Sequence, residues 1–243
     1  MKRIFLLMAL CVAFLACHRP LHVAQINSEL IMVDSTYDAM QDTAYLQYLS
    51  PMKAELERQL NIPIGYAPES MTVRQPECNM LNWASDALLA QARQRYPSQV
   101  DMAVVNIGGM RTDWPAGDIT RRHIFELMPF DNELVVLTLK GEHILQLCQA
   151  CINRGGEGVA GLRIKARNGQ LLSATINGKT IVPTASYTVA TSDYLSQGND
   201  GLTPLSLYEE MWRSEEKIRD LYIAYVQQVQ TVQAQVDGRM DIQ

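Results

Sequence analysis

The sequence predicts a mixed α/β (α+β) fold, with helices packed on a largely antiparallel sheet. Three observations carry this reading. Residues 79–95 repeat apolar side chains at helical spacing, short β-branched runs recur through the second half, and two Asn-Gly pairs separate such runs as hairpin turns. A helix must bury a stripe and a strand a face, and packing one on the other satisfies both.

In chain order, residues 35–60 (STYDAMQDTAYLQYLSPMKAELERQL) are rich in helix formers after a candidate N-cap at Ser35, and Pro51 is expected to kink or restart the helix. IPIGYAPESMT follows and reads as a short strand and then a loop, since it holds Pro63 and Pro68. The helix at 79–95 turns Leu81, Ala84, Leu88 and Leu89 toward a core. DMAVVN at 101–106 is a buried strand leading into a glycine pair, ELVVLTL at 133–139 is another strand, and 141–152 is a helix. Strands are expected at 161–167, 171–176 and 186–191, with turns at NGQ (168–170) and NGK (177–179). A long helix is expected over 215–235, with Ile218, Leu221, Tyr222, Tyr225 and Val229 on one side. No repeat or low-complexity linker interrupts residues 35–243, which are read as one domain.

The chain begins MKRIFLLMALCVAFLAC, a short basic start and an apolar run too short to span a bilayer, which is the pattern of an export signal over residues 1–16. The run ends in FLAC, similar to the lipobox of bacterial lipoproteins, although Phe14 stands where Leu is usual. The expectation is lipidation at Cys17, a tether over 17–34, and an exported, membrane-anchored lipoprotein on the periplasmic or cell-surface side. Ordinary secretion with cleavage before Cys17 is the alternative. Without Lys2 and Arg3, 19 basic residues face 26 acidic ones, a net charge of about −7, which argues against a nucleic-acid partner. Beyond Cys11 and Cys17 the cysteines are Cys78, Cys148 and Cys151, and three thiols form no closed disulfide framework. The CQAC of Cys148 and Cys151 lies in a helical stretch without a redox-type setting, so both are read as small apolar residues on one helix face.

NIGGMRTDWPAGDIT (106–120) combines the parts of an anion-receiving wall. Gly108 and Gly109 clear side chains from a backbone turning after a strand, and Arg111 brings a guanidinium to the same place. A polar turn is the competing reading of this stretch alone. Phe130, in the turn PFDN, and Tyr194, followed by GNDG with Asp200, add two aromatics and a carboxylate suited to the organic part of a phosphorylated ligand. Each also has a structural reading: Phe130 as a core plug, Tyr194 as a strand-end aromatic, Asp200 as a turn former.

Four segments in order, ECNMLNWASDAL (77–88), NIGGMRTDWPAGDIT, FELMPFDNELVVLTLKGEHI (125–144) and YTVATSDYLSQGNDG (187–201), resemble the C-terminal domain of 5′-nucleotidases and UDP-sugar hydrolases. The resemblance covers most of the chain after the leader. It implies a nucleotide-like ligand. Arg74 and Arg111 would contact ribose and phosphate, Asn106 the base, Phe130 and Tyr194 would sandwich the base, and Asp200 would hold the ribose hydroxyls. Tyr194 replaces a usual Phe, and Asn199 a usual glycine.

In full-length members of that family a separate metallophosphatase domain carries two metal ions and activates water. The four histidines here, His18, His22, His123 and His143, form no Asp-x-His, and the GND at 198–200 has no histidine after its Asn. No metal ligand set, cofactor or catalytic residue is therefore assigned to this chain, and divalent metals are expected on a separately encoded metallophosphatase partner. The leading expectation is a substrate-specificity domain for nucleotide catabolism that is inactive alone. A nucleotide or phosphosugar scavenger without a hydrolase partner and a degenerate structural or interaction domain remain the alternatives.

Overall fold

The computed structural model describes residues 23–37 and 42–243. The chain falls into two units, Met1–Ser50 and Pro51–Gln243. The export signal, Cys17, His18 and His22 lie outside the described residues, and residues 23–33 form no regular element. Among the described residues no helix is long and apolar enough to cross a membrane.

Helix α1 runs Thr43–Leu60 with Pro51 inside it, so of the expected kink or restart it shows no restart. It does not start at Ser35. Ser35–Tyr37 is a short 3-10 turn stabilised by Asp34, whose carboxylate accepts from the Thr36 N–H at 2.9 Å. Asp42 is the true cap of α1, accepting from the Tyr45 N–H at 3.1 Å.

Within Pro51–Gln243 a five-stranded sheet has the order β10-β4-β9-β2-β5. Its strands are β2 (Met102–Val105), β4 (Glu133–Lys140), β5 (Gly158–Ala160), β9 (Ser186–Ser192) and β10 (Glu210–Lys217). Both faces are buried, and the period of two shows it. Ala103, Val105, Leu134, Val136 and Ala190 join one core with helices α2 (Asn79–Arg95), α3 (Arg121–Leu127) and α5 (Ile218–Val229). Their neighbours Met102, Val104, Val135, Leu137 and Val189 face a second core with α4 (Gly141–Asn153). Beyond α4 lies the sheet β11-β6-β7-β8, made of β6 (Leu162–Arg167), β7 (Gln170–Ile176), β8 (Lys179–Thr180) and β11 (Met240–Ile242). A third pair joins β1 (Pro63–Ala67) to β3 (Gly117–Thr120). Pairs β2/β9 and β6/β11 are parallel. The remaining strand pairs are antiparallel, as the sequence led one to expect.

The two Asn-Gly turns close hairpins. Asn168 and Gly169 (φ 51° and 74°), like Asn177 and Gly178 (φ 49° and 77°), hold consecutive positive φ angles, as a tight hairpin turn requires. The long C-terminal helix is shorter than its sequence suggested. Residues 210–217 form strand β10, in which Met211 packs on one core and Trp212 on the other, and Gln230 at φ 60° ends α5. Residues 210–213 and Lys217 pair with β4, while Glu215 and Glu216 fall in the irregularity between them, with Glu215 at φ 61°, so the helix begins only at Ile218. Cys148 and Cys151 are fully buried on α4, and burial pushes the Cys148 thiol up to about 12 and that of Cys151 well above its ordinary value.

Candidate functional site

Topology brings three loops to one end of the five-stranded sheet. Parallel neighbours β2 and β9 both end there, delivering Asn106 and Tyr194, while antiparallel β4 begins there, preceded by Phe130 and Asn132. A cavity of about 330 Å³ opens at this end, lined by Asn106, Gly108, Gly109, Arg111, Phe130, Asn132, Tyr194 and Asp200. Seven of the eight residues expected from the sequence to bind a ligand meet here. Asn132 also lines it, and only its place in the PFDN turn hinted at that.

The turn after β2 is a single 3-10 turn, Ile107–Gly109. A Cβ on Gly109 would stand 2.8 Å from Asn106 Oδ1, so the absence of a side chain is what lets the Asn106 amide fold over the turn. Its Nδ2 donates to Asp200 Oδ2 at 2.6 Å. Arg111 is fixed through its backbone N–H, which donates to the Leu127 carbonyl at 2.8 Å, and its Nη1 donates to Gly108 O at 3.3 Å.

Asp200 sits at φ 54°, a left-handed position that Asp tolerates better than most residues. Its Oδ1 accepts from the Tyr194 hydroxyl at 2.8 Å, and this hydrogen bond raises the phenol pKa. Asn199 Nδ2 donates to the Tyr194 carbonyl at 2.8 Å, so the asparagine braces the loop that it shares with Asp200. Phe130 and Tyr194 are each 39% exposed, which sets the Phe130 ring apart from a core plug.

Behind the cavity lies a pair that sequence reading missed. Glu157, 1% exposed, pairs with Arg154 and accepts from the Ile107 N–H at 2.6 Å. Burial raises the Glu157 pKa, opposed by the Arg154 hydrogen bond and the Ile107 N–H, while the Arg154 pKa is raised chiefly by that same hydrogen bond. Arg154 Nη2 stands 4.0 Å from Asp200 Oδ2. The signal available was the RGGE run at 154–157, whose charged ends flank two glycines.

Arg74 does not line this cavity. Its guanidinium donates to Val73 O at 2.7 Å and pairs with Asp113 at 3.3 Å, and the residue borders a separate depression with Glu69, Thr72 and Glu77. Asp113 also accepts from the Val73 N–H at 2.7 Å, tying the Arg74 loop to the Arg111 loop.

A metal fits poorly here. Among the described residues no three His, Cys, Asp or Glu side chains gather as a ligand set. His123 Nδ1 accepts from the Thr120 N–H at 2.9 Å and so serves the start of α3.

Residues 63–206 match the family model described as 5′-nucleotidase, C-terminal domain. The chain is 25% identical over 187 residues to a 5′-nucleotidase of Vibrio cholerae, covering 73% of this chain and 33% of that protein. It is 26% identical over 226 residues to the trifunctional nucleotide phosphoesterase protein YfkN of Bacillus subtilis, covering 80% of this chain and 15% of that one. The fold superposes on a 5′-nucleotidase precursor from Thermus thermophilus with a TM-score of 0.73 at 24% identity, over 84% of this chain and 43% of that one. The chain thus spans about a third of the length of the Vibrio relative. The match to the family model runs from β1 through every loop that lines the cavity, and the chain belongs to the 5′-nucleotidase C-terminal domain family.

Proposed function

We propose that the chain is the nucleotide-binding, substrate-specificity half of a 5′-nucleotidase-type hydrolase and acts in nucleotide catabolism with a separately encoded metallophosphatase. The observation that carries this is the convergence of Arg111, two part-exposed aromatics and Asp200 on one cavity. Phe130 and Tyr194 offer ring faces to a base, worth about 1–3 kcal/mol per stacked base in comparable sites. Asp200 accepts from sugar hydroxyls, and Arg111 pairs with phosphate oxygens.

The described residues do not supply a ligand set for the metal ions that would activate water. The partner brings that chemistry, and the lipid on Cys17 holds the exported chain at a membrane where nucleotides from outside the cytoplasm are met. Purified full chain is expected to bind AMP without releasing phosphate when Mg²⁺, Mn²⁺ or Zn²⁺ is added. Metal-dependent AMP hydrolysis that co-purifies with the chain through orthogonal columns, and is weakened by Arg111→Ala, would overturn the reading.

A further inference from the structure

Tyr194 carries a hydroxyl that its ring does not need for stacking, and that hydroxyl is spent on Asp200. An ionised carboxylate has about four acceptor directions, two on each oxygen. One on Oδ1 is filled by the Tyr194 hydroxyl at 2.8 Å, and one on Oδ2 by Asn106 Nδ2 at 2.6 Å. Arg154 Nη2, at 4.0 Å from Oδ2, lies beyond hydrogen-bond reach. One direction then remains on each oxygen. That is the arrangement a vicinal diol fits, with one hydroxyl donated to each oxygen.

The carboxylate is held from both sides, by the Tyr194 hydroxyl on Oδ1 and Asn106 Nδ2 on Oδ2, and Asn199 Nδ2 in turn bonds to the Tyr194 carbonyl. The loop is therefore cross-braced through its backbone and through its side chains. Resting on the nucleotide-binding reading above, we propose that Tyr194 is a specificity-determining positioning residue: its hydroxyl fixes Asp200 to receive a ribose diol, so that the ring reading the base and the carboxylate reading the sugar are set as one unit. A phenylalanine at this position would keep the ring and leave Oδ1 free to rotate, at an entropic cost when the diol binds.

The test compares adenosine with 2′,3′-dideoxyadenosine by calorimetry on the full chain, because both carry the same base and only one carries the diol. Wild type is expected to prefer adenosine. Tyr194→Phe, which removes one exposed hydroxyl and should leave the melting temperature unchanged, is expected to reduce that preference by roughly threefold to tenfold. In an Asp200→Asn background the preference should fall near one, and adding Tyr194→Phe should change it no further. An unchanged or larger preference in Tyr194→Phe overturns the proposal. A wild type that binds both nucleosides equally also overturns it while nucleoside binding stands; where neither nucleoside gives heat, the same comparison is read with AMP and 2′,3′-dideoxy-AMP, and no binding of AMP overturns the nucleotide-binding reading itself.

Discussion

Glu157 accepts a hydrogen bond from the backbone N–H of Ile107 at 2.6 Å, and so a buried carboxylate from the loop after α4 holds the turn that carries Asn106 and Arg111. Removing the acceptor strands that N–H and leaves Arg154 without its carboxylate. Glu157→Ala is expected to cost about 1–3 kcal/mol of stability in urea denaturation and to weaken AMP binding as well. Unchanged stability would show that water replaces the carboxylate at no cost.

Gly109→Ala separates binding from folding. The added Cβ would meet a side-chain amide and not backbone, since Asn106 Oδ1 is the atom at 2.8 Å. The amide can move aside, but its bond to Asp200 moves with it. The expected outcome is a melting temperature close to wild type with adenosine affinity lowered several-fold, roughly the loss of one hydrogen bond to a charged group. Equal affinity would show that the Asn106–Asp200 contact plays no part in binding.

The two arginines assigned from the family resemblance stand in different places, and binding should tell them apart. Arg111 lines the cavity, so Arg111→Ala is expected to weaken AMP binding by about 1.5–3 kcal/mol while affecting adenosine little. Arg74 is exposed and engaged with Asp113, so Arg74→Ala should have a smaller effect on the isolated chain. A larger loss for Arg74→Ala than for Arg111→Ala would mean that the ligand reaches beyond the cavity described.

Strands β1, β2, β4, β6, β7 and β9 and the helices at 79–95 and 141–152 are legible because hydrophobic period and turn chemistry agree with tertiary pairing, whereas β3, β5, β8 and β11, of two to four residues each, are too short to show a period. The other failures lie where local pattern and tertiary pairing disagree. Ser35 is a good N-cap residue, yet Asp42 performs the capping for α1. The run Glu215-Glu216-Lys217 favours helix locally, but β4 pairs with residues 210–213 and Lys217, and the bulge between them, with Glu215 at φ 61°, keeps the run out of α5. At the site, glycines and aromatics in loops announced themselves. Glu157 and Arg154 did not, since nothing in sequence spacing shows that a charged pair will be buried beneath a turn 50 residues away. Arg74 was assigned through a motif, and motif order says nothing about which depression a long exposed side chain enters.

Cys148 and Cys151 provide a check on the core. Burial pushes the Cys148 thiol up to about 12 and Cys151 well above its ordinary value, so both stay protonated and shielded in the folded protein. Peptide mass mapping after iodoacetamide treatment should find neither labelled up to about pH 9, and both labelled in urea. Rapid native labelling would show that α4 opens or that the pair is reactive.

The most direct measurement is a calorimetric titration of the full chain with AMP, repeated on Arg111→Ala and Phe130→Ala. One-site binding with a Kd between about 1 μM and 1 mM, weakened in both variants while their melting temperatures hold, is the result expected of a working half-site. No heat of binding in wild type, or binding that neither variant disturbs, would contradict the assignment of this cavity to a nucleotide.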